Sequence, residues 1–204
     1  MASFFKISIV DDDVGVLKAL SRRLRIRGYS FKTFASATAF PEADDGSIPG
    51  CAIVDLAMPG LNGLELQRAP IGRGAHRPII FLTGRGDIST TVRAMRAGAV
   101  DFLTKPVDDQ ALLDALARAE ALDAKARAAQ AEHHAGREKM ETLTPREREI
   151  IPHVLAGKMN KDIAADLGIV EQTIKVHRRR VMAKLGIENV IELARIFHKM
   201  NDKF

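Results

Sequence analysis

The chain has 204 residues, of which 46% are hydrophobic, and a single cysteine, Cys51. This length allows two small domains with packed cores, while one cysteine excludes an internal disulfide and fits a reducing compartment. No apolar run is long enough to cross a membrane. The start, MASFFKISIV, is too short for a secretory signal and is followed at once by three aspartates. We therefore expect a cytoplasmic protein that does not associate with membranes.

The net charge of +5 is located mainly in the last third of the chain. Residues 1–123 carry 15 basic and 15 acidic residues, residues 124–141 carry 4 and 3, and residues 142–204 carry 12 and 8. A small basic excess says little by itself, but its confinement to one region indicates a nucleic-acid-binding domain there.

Short β-rich segments alternate with helical patterns in the first half of the chain. The predicted strands lie at 4–10, 29–34, 51–55, 78–83 and 100–104. An amphipathic helix that ends at Gly28 is predicted after the first strand, from apolar residues at helical spacing: Val14, Leu17, Leu20 and Leu24. This alternation predicts an α/β fold with a doubly wound, five-stranded parallel sheet, in which ligands bind beyond the carboxyl ends of the strands.

Prolines and a long Ala-rich segment modify this pattern. Pro41 and Pro70 fall where the second and third helices should run, so we expect those helices to be short or distorted. Residues 108–137 form one helical pattern whose apolar spacing decays after Leu122, and Gly136 should mark where the helix loosens. The predicted organisation is a domain at 1–123, a helical linker at 124–141 and a second domain at 142–204.

The second domain has a purely helical pattern, which predicts four short helices. Thr144 and Glu147 form a capping box around Pro145, which marks the start of the first helix. Asn160 is expected to cap the second helix. The first predicted helix ends at Gly157, and the second runs from Asn160 to Gly168. The third runs from Gln172 to Leu185, and the fourth spans 189–200.

Carboxylates lie at the ends of two predicted strands. Asp11 and Asp12 follow the first strand, and Asp55 ends the third. Clustered carboxylates repel one another unless a cation lies among them, and hard oxygen ligands suit Mg²⁺. Thr83 ends the fourth strand and Lys105 follows the fifth. Together these groups suit phosphoryl transfer onto an aspartate, with Lys105 and Thr83 binding the phosphoryl oxygens.

Residues 174–185 contain five basic residues and no acidic one. In a helix, Ile174, Val181 and Leu185 would form a buried stripe. The opposite face would carry Lys175, Val176, Arg179, Arg180 and Ala183. Basic residues interleaved with small apolar ones suit a helix in the major groove of DNA, although a solvated basic face is the alternative.

Three further polar residues are placed to contact DNA phosphates. They are Asn160 and Lys161, on the preceding helix, and Thr173, which directly precedes residues 174–185.

Four motifs, IVDDD, VDLAMPGLNG, FLTGRGD and DFLTKP, resemble those of response-regulator receiver domains in order and spacing. The resemblance implies a flavodoxin-like receiver fold in which Asp55 is the phosphoacceptor. It also implies that Asp12, Asp55 and the backbone carbonyl of Ala57 bind Mg²⁺, with Asp11 helping through water. Thr83 and Phe102 would then be the switch pair, with the ring turning inward when the hydroxyl moves.

The segment LTPREREIIPHVLAGKMNKDIAADLGIVEQTIKVHRRRVMAKLGI resembles the LuxR/NarL-type helix-turn-helix over nearly its whole length. In that family, the positions that match Lys175, Val176 and Arg179 face the bases. The two regions together most resemble the FixJ/StyR-like subgroup of response regulators.

These observations predict a phosphorylation-controlled transcription factor, acting as an activator. A sensor histidine kinase would supply the phosphoryl group. The receiver would then form a homodimer through the face of the helix at about 87–97 and the fifth strand, and two DNA-binding domains would engage double-stranded DNA.

Two enzyme classes fit these residues less well than a response regulator does. Haloacid-dehalogenase-like phosphatases also use a strand-end aspartate, but they need a second aspartate two residues later, where this chain has Ala57. No GxxxxGK[ST] motif of a P-loop enzyme is present. We therefore expect no enzyme. A phospho-signalling adaptor that acts through protein contacts remains the alternative.

Overall fold

The structure is a computed structural model that describes residues 5–40, 46–59, 63–68, 77–84 and 88–201. The predicted effects of Pro41 and Pro70 lie outside the described residues. The chain divides into two compact units, Met1–Arg127 and Ala128–Phe204.

The first unit contains a five-stranded parallel sheet. Its strands are β1 Lys6–Val10, β2 Ser30–Phe34, β3 Gly50–Asp55, β4 Ile79–Thr83 and β5 Asp101–Thr104. The strand order is β2-β1-β3-β4-β5, and every neighbouring pair is parallel. This is the order of flavodoxin-like doubly wound folds, and it confirms the predicted fold class.

The described helices of both units follow the predicted order along the chain. They are α1 Val14–Ile26, α2 Gly63–Arg68, α3 Ile88–Arg96, α4 Asp109–Glu141, α5 Pro145–Leu155, α6 Asn160–Leu167, α7 Glu171–Leu185 and α8 Val190–Asn201. Among these described helices, none combines the length and hydropathy that a membrane crossing requires.

Helices cover both faces of the sheet, which explains why β3 and β4 are apolar up to their last residues, Asp55 and Thr83. Leu20 of α1 and Leu116 of α4 belong to the core on one face. Leu66 of α2 and Ala94 of α3 belong to the core on the other. Every residue of β3 and β4 is buried, as expected for central parallel strands between two helical layers.

Helix α1 begins at a side-chain cap and ends before a glycine, as its sequence indicates. The Asp13 carboxylate accepts hydrogen bonds from the backbone N–H groups of Gly15 and Val16. Gly28 follows the helix with φ of +78°, a conformation that favours glycine. The expected apolar stripe is wrong at Val14, which is 57% exposed because it is the first helical residue and lies beyond the sheet-facing stripe.

The long helix α4 is continuous from Asp109 to Glu141, so the expected loosening at Gly136 is wrong. A single glycine costs a helix about 1 kcal/mol relative to alanine, and the surrounding helix-forming residues offset this cost. The buried residues of α4 end at Asp123, and Leu122 is half exposed. The sheet-packing part of α4 therefore ends where the sequence indicates, although the helix itself goes on.

The second unit is an all-helical domain around its own core. Its buried residues include Ile150 of α5, Ile163 of α6, Ile174 of α7 and Leu193 of α8. The capping box at the start of α5 is confirmed, because the Thr144 hydroxyl accepts from the Glu147 backbone N–H and the Glu147 carboxylate accepts from the Thr144 N–H.

The expected cap at the start of α6 is wrong. The cap residue is Met159, which makes no side-chain cap hydrogen bond, and Asn160 is the first helical residue. The side-chain oxygen of Asn160 instead accepts a hydrogen bond from Arg178 of α7 at 2.7 Å. The Asn160 side chain therefore contacts another helix and does not cap its own.

Candidate functional site

The first candidate site lies at the carboxyl ends of β1 and β3, where the strand order reverses. Val10 of β1 is paired in register with Val54 of β3, so the next residues, Asp11 and Asp55, emerge side by side. In open α/β sheets this reversal creates the crevice in which ligands bind. The sheet therefore brings the predicted acidic residues together through backbone pairing.

Three carboxylates meet in this crevice. Each of Asp11, Asp12 and Asp55 offers an oxygen, and these oxygens lie within 4.8 Å of one another. Asp11 and Asp55 are buried, whereas Asp12 is exposed. Asp11 accepts a hydrogen bond from the Asp13 N–H at 2.9 Å, and Asp55 accepts one from the Ala57 N–H at 3.1 Å. These backbone donors hold two of the carboxylates in fixed orientations.

Lys105 lies between the two buried carboxylates. Its Nζ is 2.6 Å from Asp11 Oδ2 and 2.8 Å from Asp55 Oδ1. Burial raises the pKa of Asp11, and the hydrogen bond from Lys105 only partly offsets this effect. Burial would lower the pKa of Lys105, but its hydrogen bonds with both carboxylates outweigh burial and raise that pKa. The ammonium is therefore held in its charged form beside Asp55.

Thr83 and Phe102 lie on the neighbouring strands β4 and β5. Thr83 is buried at the end of β4, and its backbone carbonyl accepts a hydrogen bond from the Lys105 N–H at 2.7 Å. Phe102 is partly buried and packs against the same core cluster as Phe81, its register partner on β4. The sheet thus places a hydroxyl at the end of the strand beside β3, and an aromatic ring one strand further away.

The chemistry of this donor set fits a hard divalent cation. Three carboxylates that share one crevice repel one another, and a cation with oxygen ligands would relieve that repulsion. The exposed position of Asp12 keeps one side of the cluster open to solvent. Mg²⁺ retains several waters in proteins and is usually bound by one or two carboxylates, which matches this open arrangement.

The second candidate site is the surface of α7. Ile174, Val181 and Leu185 are buried in the core of the second unit, which confirms the predicted stripe. Lys175, Arg179 and Arg180 are exposed, and Val176 is partly buried beside them. Lys175 Nζ also lies 3.0 Å from Glu171 Oε1. This ion pair is exposed to solvent, so breaking it costs little free energy.

The three residues predicted to meet phosphates differ in their surroundings. Lys161 is exposed and Thr173 is partly buried. Asn160 is also partly buried, but its side-chain oxygen is already occupied by Arg178. The structure therefore joins Asn160 to α7 through its side-chain oxygen, while the donors that suit a phosphate are the Asn160 amide N–H groups, the Lys161 ammonium and the Thr173 hydroxyl.

Sequence reasoning missed the role of Arg178. This residue follows Ile174 by four positions and precedes Val181 by three, which places it beside the buried stripe of α7. That spacing is the signal that could have separated it from the neighbouring Arg179 and Arg180.

Two protein families match the chain, one in each unit. Residues 7–117 match the response regulator receiver domain family, and residues 141–197 match the luxR family of bacterial regulatory proteins. The first match includes Asp11, Asp55 and Lys105, and the second includes the whole of α7.

Similar proteins cover nearly the whole chain. Over 93% of its length the chain is 40% identical to nodulation protein W of Bradyrhizobium diazoefficiens, covering 84% of that protein. It is 40% identical over 96% of its length to the response regulator protein TodT of Pseudomonas putida, covering 86% of it. It is 36% identical over 96% of its length to the transcriptional regulatory protein FixJ of Azorhizobium caulinodans, covering 93% of it.

Solved structures show the same family. The response regulator StyR superposes with a TM-score of 0.80 at 40% identity, covering 95% of this chain and 98% of that one. Full-length FixJ from B. japonicum superposes with a TM-score of 0.55 at 33% identity, covering 98% of both chains. The chain therefore belongs to the two-component response regulators, transcription regulators that join a receiver domain to a LuxR-type DNA-binding domain.

Proposed function

We propose that Asp55 accepts the phosphoryl group from a sensor histidine kinase and that this modification controls binding to double-stranded DNA. The observation that carries the proposal is the position of Asp55. Its carboxylate lies at the switch point of the sheet, within 4.8 Å of two other acidic groups and 2.8 Å from the Lys105 ammonium. A nucleophilic carboxylate beside a fixed cation is what phosphoryl transfer requires.

In the proposed transfer, an oxygen of Asp55 attacks phosphorus while the bond from phosphorus to the donor histidine nitrogen breaks. The leaving imidazole takes a proton from solvent. Asp11, Asp12, Asp55 and the backbone carbonyl of Ala57 would hold Mg²⁺. When bound, Mg²⁺ supplies positive charge that neutralises the phosphoryl oxygens. Ala57 cannot act as the general acid of a phosphatase, so the aspartyl phosphate persists as a signal.

After transfer, Lys105 Nζ and the Thr83 hydroxyl bind the phosphoryl oxygens. Lys105 then exchanges one of its carboxylate partners for the new group, and the movement of Thr83 opens space that the Phe102 ring fills. This readout is supported by the burial of Thr83 at the end of β4 and the partly buried position of Phe102 on β5.

The phosphorylated receiver forms a homodimer through α3 and β5. Val92 and Met95 are exposed on α3 and three positions apart, so they lie side by side as a small apolar patch that supports this face. Pairing gives two reading helices and therefore raises affinity for a two-fold related DNA site. The protein acts as an activator in the cytoplasm, where Cys51 stays reduced.

The reading helix is α7, with Lys175, Val176 and Arg179 facing the bases and Arg180, Lys161 and Thr173 near phosphates. Exposed arginine and lysine side chains can reach guanine edges, and Val176 can contact a thymine methyl group. Asn160 was expected to join the phosphate contacts, but its bond to Arg178 supports a different role.

The proposed transfer is tested with acetyl phosphate and Mg²⁺ as the phosphoryl source. Intact-protein mass spectrometry should find one acid- and hydroxylamine-labile phosphoryl group on the wild type and none on Asp55→Asn. Asp101→Asn is a matched control in the same unit and should accept the group normally. A stable phosphoryl group on Asp55→Asn would refute the assignment.

Dimerisation is tested by analytical ultracentrifugation with Mg²⁺, with and without the phosphoryl mimic beryllofluoride. Wild type should shift from monomer to dimer, whereas Asp55→Ala and Val92→Glu should stay monomeric. Ile26→Glu, which changes an exposed apolar residue of α1, serves as the control and should still shift. An unchanged mass for the wild type would refute pairing.

The adaptor alternative predicts that regulation survives without DNA reading. Lys175→Glu with Arg179→Glu should abolish output in a promoter-fusion assay if α7 reads DNA. An adaptor would keep its output with these two changes.

A further inference from the structure

We propose that Asn160 and Arg178 form a positioning pair that sets the orientation of α7 relative to α6, and that Asn160 is not a phosphate contact. Nη1 of Arg178 donates to Oδ1 of Asn160 at 2.7 Å, across 18 positions of sequence. Asn160 begins α6, and Arg178 lies in the middle of α7. One hydrogen bond therefore joins the two helices of the helix-turn-helix directly.

Arg178 differs from the two arginines that follow it. Arg179 and Arg180 are exposed, whereas Arg178 is partly buried. Its side chain lines a small cavity together with Ile150, Val181 and other apolar residues of the unit's core. An arginine can pack its aliphatic stem on apolar surface while its guanidinium reaches a polar partner. Arg178 thus belongs to the framework of the domain, and the next two arginines to its surface.

Apolar packing alone does not fix how α7 is rotated. Ile163 and Ala164 of α6 share a core with Ile174 of α7, and such contacts are non-directional. A charge-assisted hydrogen bond has a preferred distance and direction, so it adds a geometric constraint. Since each helical residue advances by about 100° around the axis, a small rotation of α7 would displace Lys175 and Arg179 from the bases.

The start of α6 has no side-chain cap. The residue before the helix is Met159, which makes no side-chain cap hydrogen bond. The polar residue that could serve there, Asn160, is displaced by one position and points its oxygen to Arg178. The Asn160 side chain therefore connects α6 to α7 and does not cap its own helix.

This inference rests on the proposed reading role of α7, and its consequences for DNA binding differ from those of a lost phosphate contact. Loss of a positioning residue lowers affinity for the specific site and leaves binding to random DNA nearly unchanged. Loss of a phosphate contact weakens both specific and random binding, and it also reduces the slope of affinity against salt by about one counterion where the lost group is a cation such as that of Lys161. The two roles of Asn160 can therefore be separated.

The DNA experiment uses the full-length protein activated with beryllofluoride and Mg²⁺. The specific duplex is selected from a random library by the wild type, and binding to it and to random duplex is measured over a range of salt concentrations. Asn160→Ala and Arg178→Ala should each lower the ratio of specific to random affinity by about tenfold, with the salt slope unchanged. Lys161→Ala is the phosphate-contact control and should lower both affinities and the slope.

Asn160→Asp gives the sharpest contrast. A carboxylate still accepts from Arg178, so this variant should keep the wild-type ratio of specific to random affinity. If Asn160 touches a phosphate, the added negative charge should make Asn160→Asp bind more weakly than Asn160→Ala. An equal loss of specific and random affinity for Asn160→Ala, together with that order of affinities, would overturn the proposal.

A double-mutant cycle without DNA tests the pair independently of DNA reading. The unfolding free energies of wild type, Asn160→Ala, Arg178→Ala and the double variant are compared by chemical denaturation. The double variant should lose less than the two single losses added together, because each single change already breaks the bond. Additive losses would refute the pair even if α7 reads DNA, and coupled losses in a protein that selects no DNA sequence would refute only the reading role.

Discussion

Glu147 Oε2 lies 2.6 Å from Lys184 Nζ, and this ion pair joins the first turn of α5 to the last turn of α7. Glu147 is only 2% exposed and also accepts the capping hydrogen bond from the Thr144 N–H. Lys184 in addition donates to the backbone carbonyl of Thr142 at 3.1 Å. The start of the DNA-binding unit and the end of its reading helix therefore share one buried carboxylate.

Replacing Glu147 should destabilise the second unit. Glu147→Ala removes charge-assisted hydrogen bonds to Lys184 and to the helix start, and should cost about 2–3 kcal/mol in free energy of unfolding. Glu149→Ala changes an exposed carboxylate in the same helix and should cost less than about 0.5 kcal/mol. Chemical denaturation followed by circular dichroism measures both. Equal effects of the two changes would contradict a structural role for the buried pair.

The same carboxylate predicts how stability depends on pH. The hydrogen bond from Lys184 lowers the pKa of Glu147 from 4.5 to about 2. Because the folded pKa lies below the unfolded one, this contribution is fully present above about pH 4.5 and is lost as the pH falls toward 2. Glu147→Gln should flatten the acid side of the stability profile of the second unit. A profile identical to that of the wild type between pH 5 and pH 2 would contradict this expectation.

Replacing Lys105 should raise the affinity for Mg²⁺ and lower the signalling output. Its ammonium lies against Asp11 and Asp55, so Lys105→Ala removes a positive charge that competes with Mg²⁺. We expect Mg²⁺ affinity, measured by titration calorimetry, to rise by about tenfold. Output should nevertheless fall, since the phosphoryl oxygens lose a partner. Lys18→Ala on the exposed face of α1 is the charge-matched control and should change neither quantity.

Arg127 should hold the end of the sheet-packing part of α4 against residues 46–48 of the same unit. Its guanidinium donates to the Asp123 carboxylate and to the backbone carbonyls of Gly46, Ser47 and Ile48. Asp123 is buried and also accepts from the N–H of Gly50, the first residue of β3. Arg127→Ala removes the guanidinium that donates to the Asp123 carboxylate. The change should lower the free energy of unfolding of the first unit by about 2–3 kcal/mol.

Hydrogen exchange gives the local measurement for these contacts of Arg127. Amides of residues 120–127 should exchange faster in Arg127→Ala, and Arg127→Lys should be intermediate because lysine lacks the guanidinium fork. Lys125→Ala, an exposed change on the same helix, should leave the exchange unaltered. Wild-type protection in Arg127→Ala would show that α4 is held by its apolar contacts alone.

The pocket could be predicted from the sequence because parallel pairing fixes where strand ends meet. Because β1 and β3 are neighbours and their register pairs Val10 with Val54, Asp11 and Asp55 lie side by side where the two strands end. The buried stripe of α7 was equally predictable, since helical periodicity alone places Ile174 and Val181 on one side. In both cases the decisive information is local to an element or to one strand pair.

Contacts between distant segments could not be read from the sequence. The bonds of Arg127 to residues 46–48 and of Arg178 to Asn160 depend on how separate elements pack. The error at Asn160 concerns the helix boundary, because α6 begins one residue earlier than expected and Met159 is its cap residue. At Gly136, local helix-breaking tendency was too weak to interrupt an otherwise helix-forming sequence.

The most direct test of the central claim is the effect of phosphorylation on DNA affinity. Binding of the full-length protein to its selected duplex is measured by fluorescence anisotropy in Mg²⁺, with and without acetyl phosphate, for the wild type and Asp55→Asn. We predict that acetyl phosphate raises the DNA affinity of the wild type by about tenfold or more, because two DNA-binding domains pair. The DNA affinity of Asp55→Asn should not change. Equal tightening of both proteins, or no response of a wild type that carries the phosphoryl group, would contradict control of DNA binding through Asp55.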